Sequence, residues 1–193
     1  LADGLARALQ GHSVRLQVLD PVALEAALAQ QALHFVVTNP GHYVRLEARH
    51  GATRIATQTT ADSDDPAHTV GSAVVVRSGT PVPATLAALR GQRVAAVAED
   101  AFGGYQLVAH EWLQSGLDAE AGAVQRVFTG FPMQRVADAV LAGRADAGIL
   151  RTCVLEQLER SGRVAPGALV VVGARPDAPA PCRSSTPLYP GWA

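Results

Sequence analysis

Two cysteines, Cys153 and Cys182, carry the most reactive side-chain chemistry in this 193-residue sequence. Cys153 follows Arg151 and Thr152 at a predicted strand-to-helix turn, where the positive potential of a helix start and the neighbouring arginine favour a thiolate. In an exported protein the two thiols could form a disulfide, which would contribute roughly 3 to 4 kcal/mol through loop entropy. They could equally form a reducible redox pair, or remain as a buried Cys153 and an exposed Cys182. The sequence alone leaves these states open.

Four predicted strand-to-helix turns carry polar groups that could bind a small ligand. In open parallel sheets ligands bind at the carboxyl ends of strands, where a following helix leaves its first amides unpaired. Asn39 suits the N-cap of such a helix, and paired glycines expose amides to which an oxyanion would bind. The same turns also occur as ordinary helix starts. The candidate ligand-binding residues are Thr38, Asn39, His42, Tyr43, Phe102, Gly103, Gly104, Tyr105, Thr129, Gly130, Arg151 and Thr152.

Composition and spacing exclude several functional classes. All 16 basic residues are arginine, so the chain has neither a Schiff-base lysine nor the lysine of a phosphate-binding P-loop. The net charge is -1 with the signs interspersed, which provides no basic patch for nucleic acid. The turn at 101–105 lacks the third glycine of a dinucleotide fingerprint, so no cofactor is expected. The histidines at 34, 42 and 50 fall on a strand, a helix start and a helix end, so no metal is expected either.

Catalytic patterns are sparse in the sequence. It contains no Gly-x-Ser-x-Gly elbow, no His-Glu-x-x-His and no Cys-x-x-Cys. One catalytic alternative is an enzyme with Cys153 as nucleophile and His42 as base, but no third group is evident to orient the histidine. We therefore expect a non-catalytic domain.

The elements that position these turns alternate between strands and helices. Apolar runs and period-2 patterns predict the strands, and period-3.6 patterns with capping residues predict the helices. The predicted strands are 14–19, 34–38, 53–57, 71–77, 93–98, 123–128, 145–150 and 168–173. The predicted helices are 21–31, 40–50, 83–89, 104–115, 132–142 and 153–161, after an opening helix that carries Leu1, Leu5 and Leu9. A polar segment, 59–69, predicts a surface loop.

This alternation predicts an α/β fold with two Rossmann-like lobes, mainly parallel sheets and a hinge. Lobe 1 is expected to comprise 1–75 plus 168–193, with the last strand returning to it, and lobe 2 to comprise 76–167. No apolar run approaches the ~20 residues that a membrane helix needs.

Several short motifs together resemble those of the phosphate/phosphite/phosphonate-type periplasmic solute-binding domains, and resemble most the branch found as sensor domains of tetrathionate-sensor-type histidine kinases. The motifs are Thr-Asn-Pro-Gly-His-Tyr at 38–43, Leu-Glu-Ala-Arg at 46–49, Phe-Gly-Gly-Tyr-Gln at 102–106, Phe-Thr-Gly at 128–130, Ala-Asp-Ala-Gly at 145–148, Arg-Thr-Cys at 151–153 and Ser-Thr-Pro-Leu-Tyr-Pro-Gly-Trp at 185–192. The resemblance covers nearly the whole chain.

The resemblance implies a type 2 periplasmic-binding-protein-like fold, with the ligand in the cleft between the lobes and hinge closure as the signal. It also implies a first strand before Leu1 and a membrane helix after the tail. Two departures count against a phosphonate ligand: 101–104 lacks the hydroxyls of the phosphonate-binding relatives, and Phe131-Pro132 stands where they carry a histidine. Cys153 and Cys182 match cysteines that the kinase-linked branch often keeps, which implies redox or sulfur-oxyanion sensing.

These observations predict an extracytoplasmic ligand-binding sensor domain of a two-component histidine kinase. Its ligand would be a small anion or polar solute, and redox state would modulate it through the cysteines. Its partners would be the transmembrane and cytoplasmic domains of the parent kinase and a second copy in a homodimer, with the domain in the periplasm as part of an inner-membrane protein. The alternative is the substrate-binding protein of a phosphonate/phosphate-type ABC transporter.

Overall fold

A five-stranded mixed sheet forms the centre of the computed structural model, which describes residues 2–59, 65–176 and 182–192. Its strands are β1 (Ser72–Arg77), β2 (Arg93–Ala96), β3 (Gln125–Phe128), β4 (Ala147–Arg151) and β5 (Leu169–Val171). Their order is β3-β2-β4-β1-β5. β2 pairs in parallel with β3 and β4, whereas β1 pairs antiparallel with β4 and β5. Four strands therefore share one direction and β1 runs against them.

Helices precede the sheet and connect its strands. The helices α1 (Ala2–Ala8), α2 (Pro21–Ala29) and α3 (Pro40–His50) come before β1, and α4 (Leu107–Gln114), α5 (Gln134–Leu141) and α6 (Val154–Arg160) lie between later strands. A π-helical turn, Phe102–Gln106, leads directly into α4. The α/β fold class predicted from the sequence is confirmed. Among the described residues, no helix is both long enough and apolar enough to cross a bilayer.

Helix α3 has the bounds that its capping residues predict. Asn39 is the N-cap and accepts a side-chain hydrogen bond from the His42 amide at 2.9 Å, and Pro40 occupies the first helical position. Gly51 ends the helix with a left-handed φ of 66°, which glycine adopts at little cost. Leu46 is buried beneath the helix.

Both faces of the central strands are covered, so these strands are apolar on both sides. In β1, Ala73 and Val75 belong to one buried cluster, and Val74 and Val76 belong to the other. Trp112 of α4 fills the second cluster and is fully buried. This double burial explains why β1 reads as a continuous apolar run rather than as an alternating one.

Glycine in β4 sets the distance between this strand and α5. A Cβ on Gly148 would lie 2.7 Å from Cγ1 of Val136 and 2.8 Å from Cγ2 of Val140. No real Cβ can make such contacts, so the helix packs on the strand backbone because residue 148 has no side chain. The apolar face of α5 thereby closes the first cluster over β4.

Three predicted strands, at 14–19, 34–38 and 53–57, are wrong. The described residues there form no strand, and their apolar side chains are exposed, with Val18 at 93% and Ile55 at 78%. A period-2 pattern selects residues that suit a strand, but a strand also needs a neighbour whose backbone completes its hydrogen bonds. Within the described chain these segments have no such neighbour.

Other element boundaries differ from the predictions. The predicted helix 83–89 is only a 3₁₀ turn at Leu86–Leu89, where the Leu86 carbonyl accepts a hydrogen bond from the Trp112 indole. The helix expected from Pro132 begins at Gln134. The last strand pairs with β1 in the common sheet. Leu1 of the predicted opening helix and residues 60–64 of the predicted loop lie outside the described residues. The division into lobe 1 and lobe 2 stays a prediction.

An ion pair joins the start of β4 to β2 and gives the first testable expectation. Asp146 Oδ2 accepts from the Arg93 amide at 2.9 Å, and Oδ1 accepts from Nη2 of the same arginine at 2.7 Å. Hydrogen bonding from Arg93 lowers the pKa of Asp146. Because the pair is partly exposed, Asp146→Asn should lower the free energy of unfolding by about 1 kcal/mol or less at pH 7.

The pH dependence of this contribution follows from the lowered pKa. The stabilisation is present above the unfolded-state pKa of about 3.9 and is lost as the pH falls through the folded-state value below it. Urea unfolding of wild type and Asp146→Asn at pH 7 and pH 3 measures both points. Asp138→Asn on α5 is the control. An equal loss at both pH values would contradict the expectation.

Candidate functional site

The start of α3 presents a buried histidine and two polar side chains. Thr38 and His42 are both buried, and Thr38 Oγ1 lies 2.9 Å from His42 Nδ1. Asn39 occupies the N-cap, so its side chain satisfies one of the free amides of the first turn. Burial and the nearby Arg45 guanidinium hold the pKa of His42 below its usual range, while Glu25 opposes them.

The π-helical turn presents unpaired amides at the carboxyl end of β2. Its first hydrogen bonds run from the Gln106 amide to the Ala101 carbonyl and from the Leu107 amide to the Phe102 carbonyl. The amides of 102–105 therefore have no carbonyl acceptor within the helix. π-Turns frequently mark functional sites, and the free amides with the helix dipole favour an anion.

The start of α3 and the π-helical turn contact each other. A Cβ on Gly41 would overlap Oε1 of Gln106 and come within 3.2 Å of Cδ2 of Phe102. Glycine at position 41 leaves room for the Gln106 side chain against the start of α3. Two turns that lie 60 residues apart in the sequence are thus brought together.

Arg151 lies at the end of β4 beside the same turn. A Cβ on Gly103 would lie 2.9 Å from Cγ of Arg151 and 3.0 Å from the Gly71 carbonyl oxygen. Arg151 is half-buried, and within residues 2–59, 65–176 and 182–192 its guanidinium has no hydrogen bond or ion pair. A half-buried cation without a carboxylate, next to free amides, is suited to bind an anion.

Thr152 and Ser72 fix the backbone around Arg151. The Thr152 hydroxyl accepts from the Gly71 amide at 2.8 Å and donates to the Gly71 carbonyl at 3.1 Å. The Ser72 hydroxyl donates to the Gly103 carbonyl at 2.8 Å. Both side chains are buried, so these bonds tie the start of β1 to the turn after β4 and to the π-helical turn.

Cys153 and Cys182 form a disulfide, with a Cα to Cα distance of 4.6 Å. Cys153 adopts a left-handed φ of 70° as the N-cap of α6, so the site that the sequence favoured for a thiolate holds a disulfide sulfur. The bond attaches the tail 182–192 to α6. Arg183 reinforces it by donating from Nε to Glu156 and from Nη2 to Glu159, each at 2.8 Å.

The other candidate residues take different positions. The Tyr43 hydroxyl donates to Glu47 on its own helix at 2.6 Å, and this bond raises the pKa of Tyr43. The Tyr105 ring belongs to the core, and its hydroxyl donates to Glu120 at 3.0 Å. Burial raises the pKa of Tyr105. Phe102 packs edge to face on Tyr189 of the tail.

Thr129 and Gly130 continue the pairing of β3 with β2. The Thr129 amide donates to the Ala96 carbonyl, and the Gly130 amide to the Val97 carbonyl, each at 2.9 Å. The Thr129 hydroxyl bonds only to backbone carbonyls, of Ala96 and Gly130. Gly104 lies against Val97 and Met133 in the packed interior of the turn.

Sequence reasoning did not select three residues that shape the site: Ser72, Gln106 and Glu25. Ser72 is a polar residue at the start of an otherwise apolar buried strand, which is a detectable pattern. Glu25 is the one carboxylate in the sequence of α2, Pro-Val-Ala-Leu-Glu-Ala-Ala-Leu-Ala. Gln106 carries no such pattern, because its role depends on the approach of Gly41.

Comparison with known proteins identifies the family. A family model described as "ABC transporter, phosphonate, periplasmic substrate-binding protein" matches residues 1–193. The chain belongs to this family.

The solved structure of XAC2383 from Xanthomonas citri bound to ATP superposes with a TM-score of 0.73 at 20% identity, over 99% of this chain and 70% of that one. PhnD1 from Prochlorococcus marinus in complex with methylphosphonate gives 0.66 at 16% identity, over 89% and 63%. Both confirm the periplasmic-binding-protein fold.

A curated protein with a similar sequence is a sensor kinase. The tetrathionate sensor histidine kinase TtrS of Salmonella typhimurium is 31% identical over 194 residues, which cover 100% of this chain. The chain spans 32% of the length of that relative. The resemblance stated from the sequence motifs is confirmed, and the domain resembles non-catalytic binding and sensor domains.

The close packing of Gly103 gives the second testable expectation. Gly103→Ala places a Cβ 3.0 Å from the Gly71 carbonyl oxygen, a backbone atom that cannot move without β1. We expect the free energy of unfolding to fall by about 1 to 3 kcal/mol, measured by chemical denaturation. Gly4→Ala in α1, where a Cβ meets nothing within 4 Å, is the matched control and should not destabilise. Equal stability of Gly103→Ala and wild type would contradict this packing.

Proposed function

We propose that this chain is the extracytoplasmic ligand-binding sensor domain of a two-component histidine kinase and that it binds a small anion between the start of α3 and the π-helical turn. The observation that carries the binding proposal is Arg151, a half-buried guanidinium that has no partner among the described residues and lies against Gly103. Such a guanidinium is available for a charge-assisted hydrogen bond to an anionic ligand.

The chemistry of the turns favours an oxyanion. The amides of Phe102–Tyr105 and the Arg151 guanidinium are hydrogen-bond donors, and the Arg151 side chain passes against Gly103 of the turn. Hydroxyl donors are absent from the sequence 101–104, which favours an anion held by amides and a guanidinium. Two related proteins carry names or ligands of this class, tetrathionate and methylphosphonate.

Ligand binding would hold the two turns together. The turn of α3 comes from the segment before the sheet, whereas the π-helical turn and Arg151 come from the sheet. A ligand that contacts both binds the closed arrangement more tightly than an open one, and therefore shifts the population toward it. Closure of this kind is the signal that we propose.

The sensor context rests on the curated relative. Identity of 31% over the whole chain to a sensor histidine kinase supports a periplasmic domain of an inner-membrane kinase, with the transmembrane and cytoplasmic domains of the parent as partners. A homodimer is the assembly that we propose. The second candidate function, a substrate-binding protein of a phosphonate/phosphate-type ABC transporter, is favoured by the description of the family model. A kinase domain in the parent sequence would support the sensor function over the transport function.

Substitution of Arg151 tests the binding proposal. Arg151→Ala should weaken binding of the tightest of sulfate, thiosulfate, tetrathionate, phosphate and methylphosphonate by about 10- to 100-fold, because a charge-assisted bond contributes roughly 1.5 to 3 kcal/mol. Isothermal titration calorimetry at fixed ionic strength measures the change. Arg144→Ala, which removes an exposed arginine outside the site, is the control. Unchanged affinity in Arg151→Ala would overturn the proposed site.

The disulfide is the element through which we propose redox modulation. It joins the residue after Thr152 to the tail that packs on Phe102, so reduction would weaken the connection between them. Reduction, or Cys153→Ser with Cys182→Ser, should lower the free energy of unfolding by roughly 3 to 4 kcal/mol through loop entropy. It should also weaken the ligand affinity. Thermal unfolding and calorimetry with and without reductant measure both effects, and a double variant with wild-type affinity in both conditions would exclude modulation.

A further inference from the structure

The His42 imidazole lies between an alcohol and a carboxylate in the interior of the site. Nδ1 is 2.9 Å from Thr38 Oγ1, and Nε2 is 3.6 Å from Oε1 of Glu25 on α2. The residue is 2% exposed, and Nε2 is a buried nitrogen without a hydrogen-bond partner among the described residues. This chain of three groups, Glu25, His42 and Thr38, was not selected by the sequence as a unit.

The neighbours of the ring determine which nitrogen carries the proton. A carboxylate can only accept hydrogen bonds, so we expect the nitrogen that faces Glu25, Nε2, to bear the hydrogen in the neutral ring. Nδ1 then accepts from the Thr38 hydroxyl. In this state the Thr38 hydrogen is directed to the ring and is not available to a ligand.

Charged groups face His42 from three sides. Glu25 approaches from α2, Arg45 from α3 itself, and Asp100 from the segment before the π-helical turn. Arg49 and His50, at the end of α3, reach the same Glu25 carboxylate at 3.0 and 4.0 Å. Burial and Arg45 keep the pKa of His42 low, so the ring is neutral near pH 7 in the absence of a ligand.

We infer that ligand binding at this site is coupled to the uptake of one proton by His42, with Glu25 as the residue that positions the ring. The inference rests on the proposed function. An anion beside the start of α3 favours the imidazolium, and a proton from solvent binds Nδ1. Nδ1 then donates to Thr38 Oγ1, and the hydroxyl hydrogen of Thr38 turns to the anion. Glu25 balances the charge at Nε2.

Calorimetry of the full chain with sulfate and tetrathionate tests the coupling, because neither probe titrates between pH 5.5 and 8.0. Titrations in two buffers of different ionisation enthalpy count the protons taken up. We expect affinity to rise as pH falls, with a limiting slope of about tenfold per pH unit and uptake approaching one proton. Glu25→Gln should flatten the slope, and Glu111→Gln, which removes a carboxylate from α4, should retain it.

The outcomes separate this inference from the proposed function. Binding that depends on Arg151 but is equally tight from pH 5.5 to 8.0, without proton uptake, overturns the coupling and leaves the proposed function standing. Absence of binding of both probes at every pH overturns both. The ¹⁵N chemical shifts of His42 in the ligand-free protein provide a readout independent of ligand and of the variants. We expect the hydrogen on Nε2 at pH 7.5, and a hydrogen on Nδ1 would overturn the inference.

Discussion

The start of β1 is the constraint on which the rest of the structure depends. Its backbone is buried where no complete ladder continues, and buried amides need acceptors. Hydroxyl side chains from elsewhere supply them: the Gly71, Ser72 and Val74 amides donate to Thr152, Thr186 and Ser185 at 2.8 to 3.0 Å. Two of these acceptors come from the tail and the third from the turn after β4. These six residues thus require the tail to lie on β1 and the turn after β4 to lie beside Gly71.

The disulfide follows from this arrangement. Once Thr152 is bonded to Gly71 and Ser185 to Val74, Cys153 and Cys182 lie next to residues whose positions are already set. The Arg183 ion pairs with α6 reinforce the same contact. Packing, hydroxyl hydrogen bonds and the disulfide therefore all hold the tail against β1 and α6. The candidate site is adjacent to this contact.

The sequence predicted the elements whose signals are local and missed those that depend on partners. Both ends of helix α3 could be predicted because Asn39, Pro40 and Gly51 act on the backbone within one helical turn. Strands β1, β2, β4 and β5 could be located because burial on both faces gives apolar runs. Tyr43 and Tyr105 were selected as site residues because of where they stand in the sequence. Their hydroxyls instead donate to the carboxylates Glu47 and Glu120, and these hydrogen bonds could not be predicted without coordinates. The pairing of the cysteines was open for the same reason.

The exposed apolar residues of the segment before β1 have a consequence for local stability. Where backbone groups lack internal partners and side chains such as Val18 face water, the free energy of local opening is small, whereas β1 opens only with the whole sheet. Within the described residues, 14–19 and 53–57 are therefore expected to have lower local stability than the sheet. Amide hydrogen exchange would divide the molecule along this line, and a ligand that holds α3 against the π-helical turn would slow exchange in residues that it never touches.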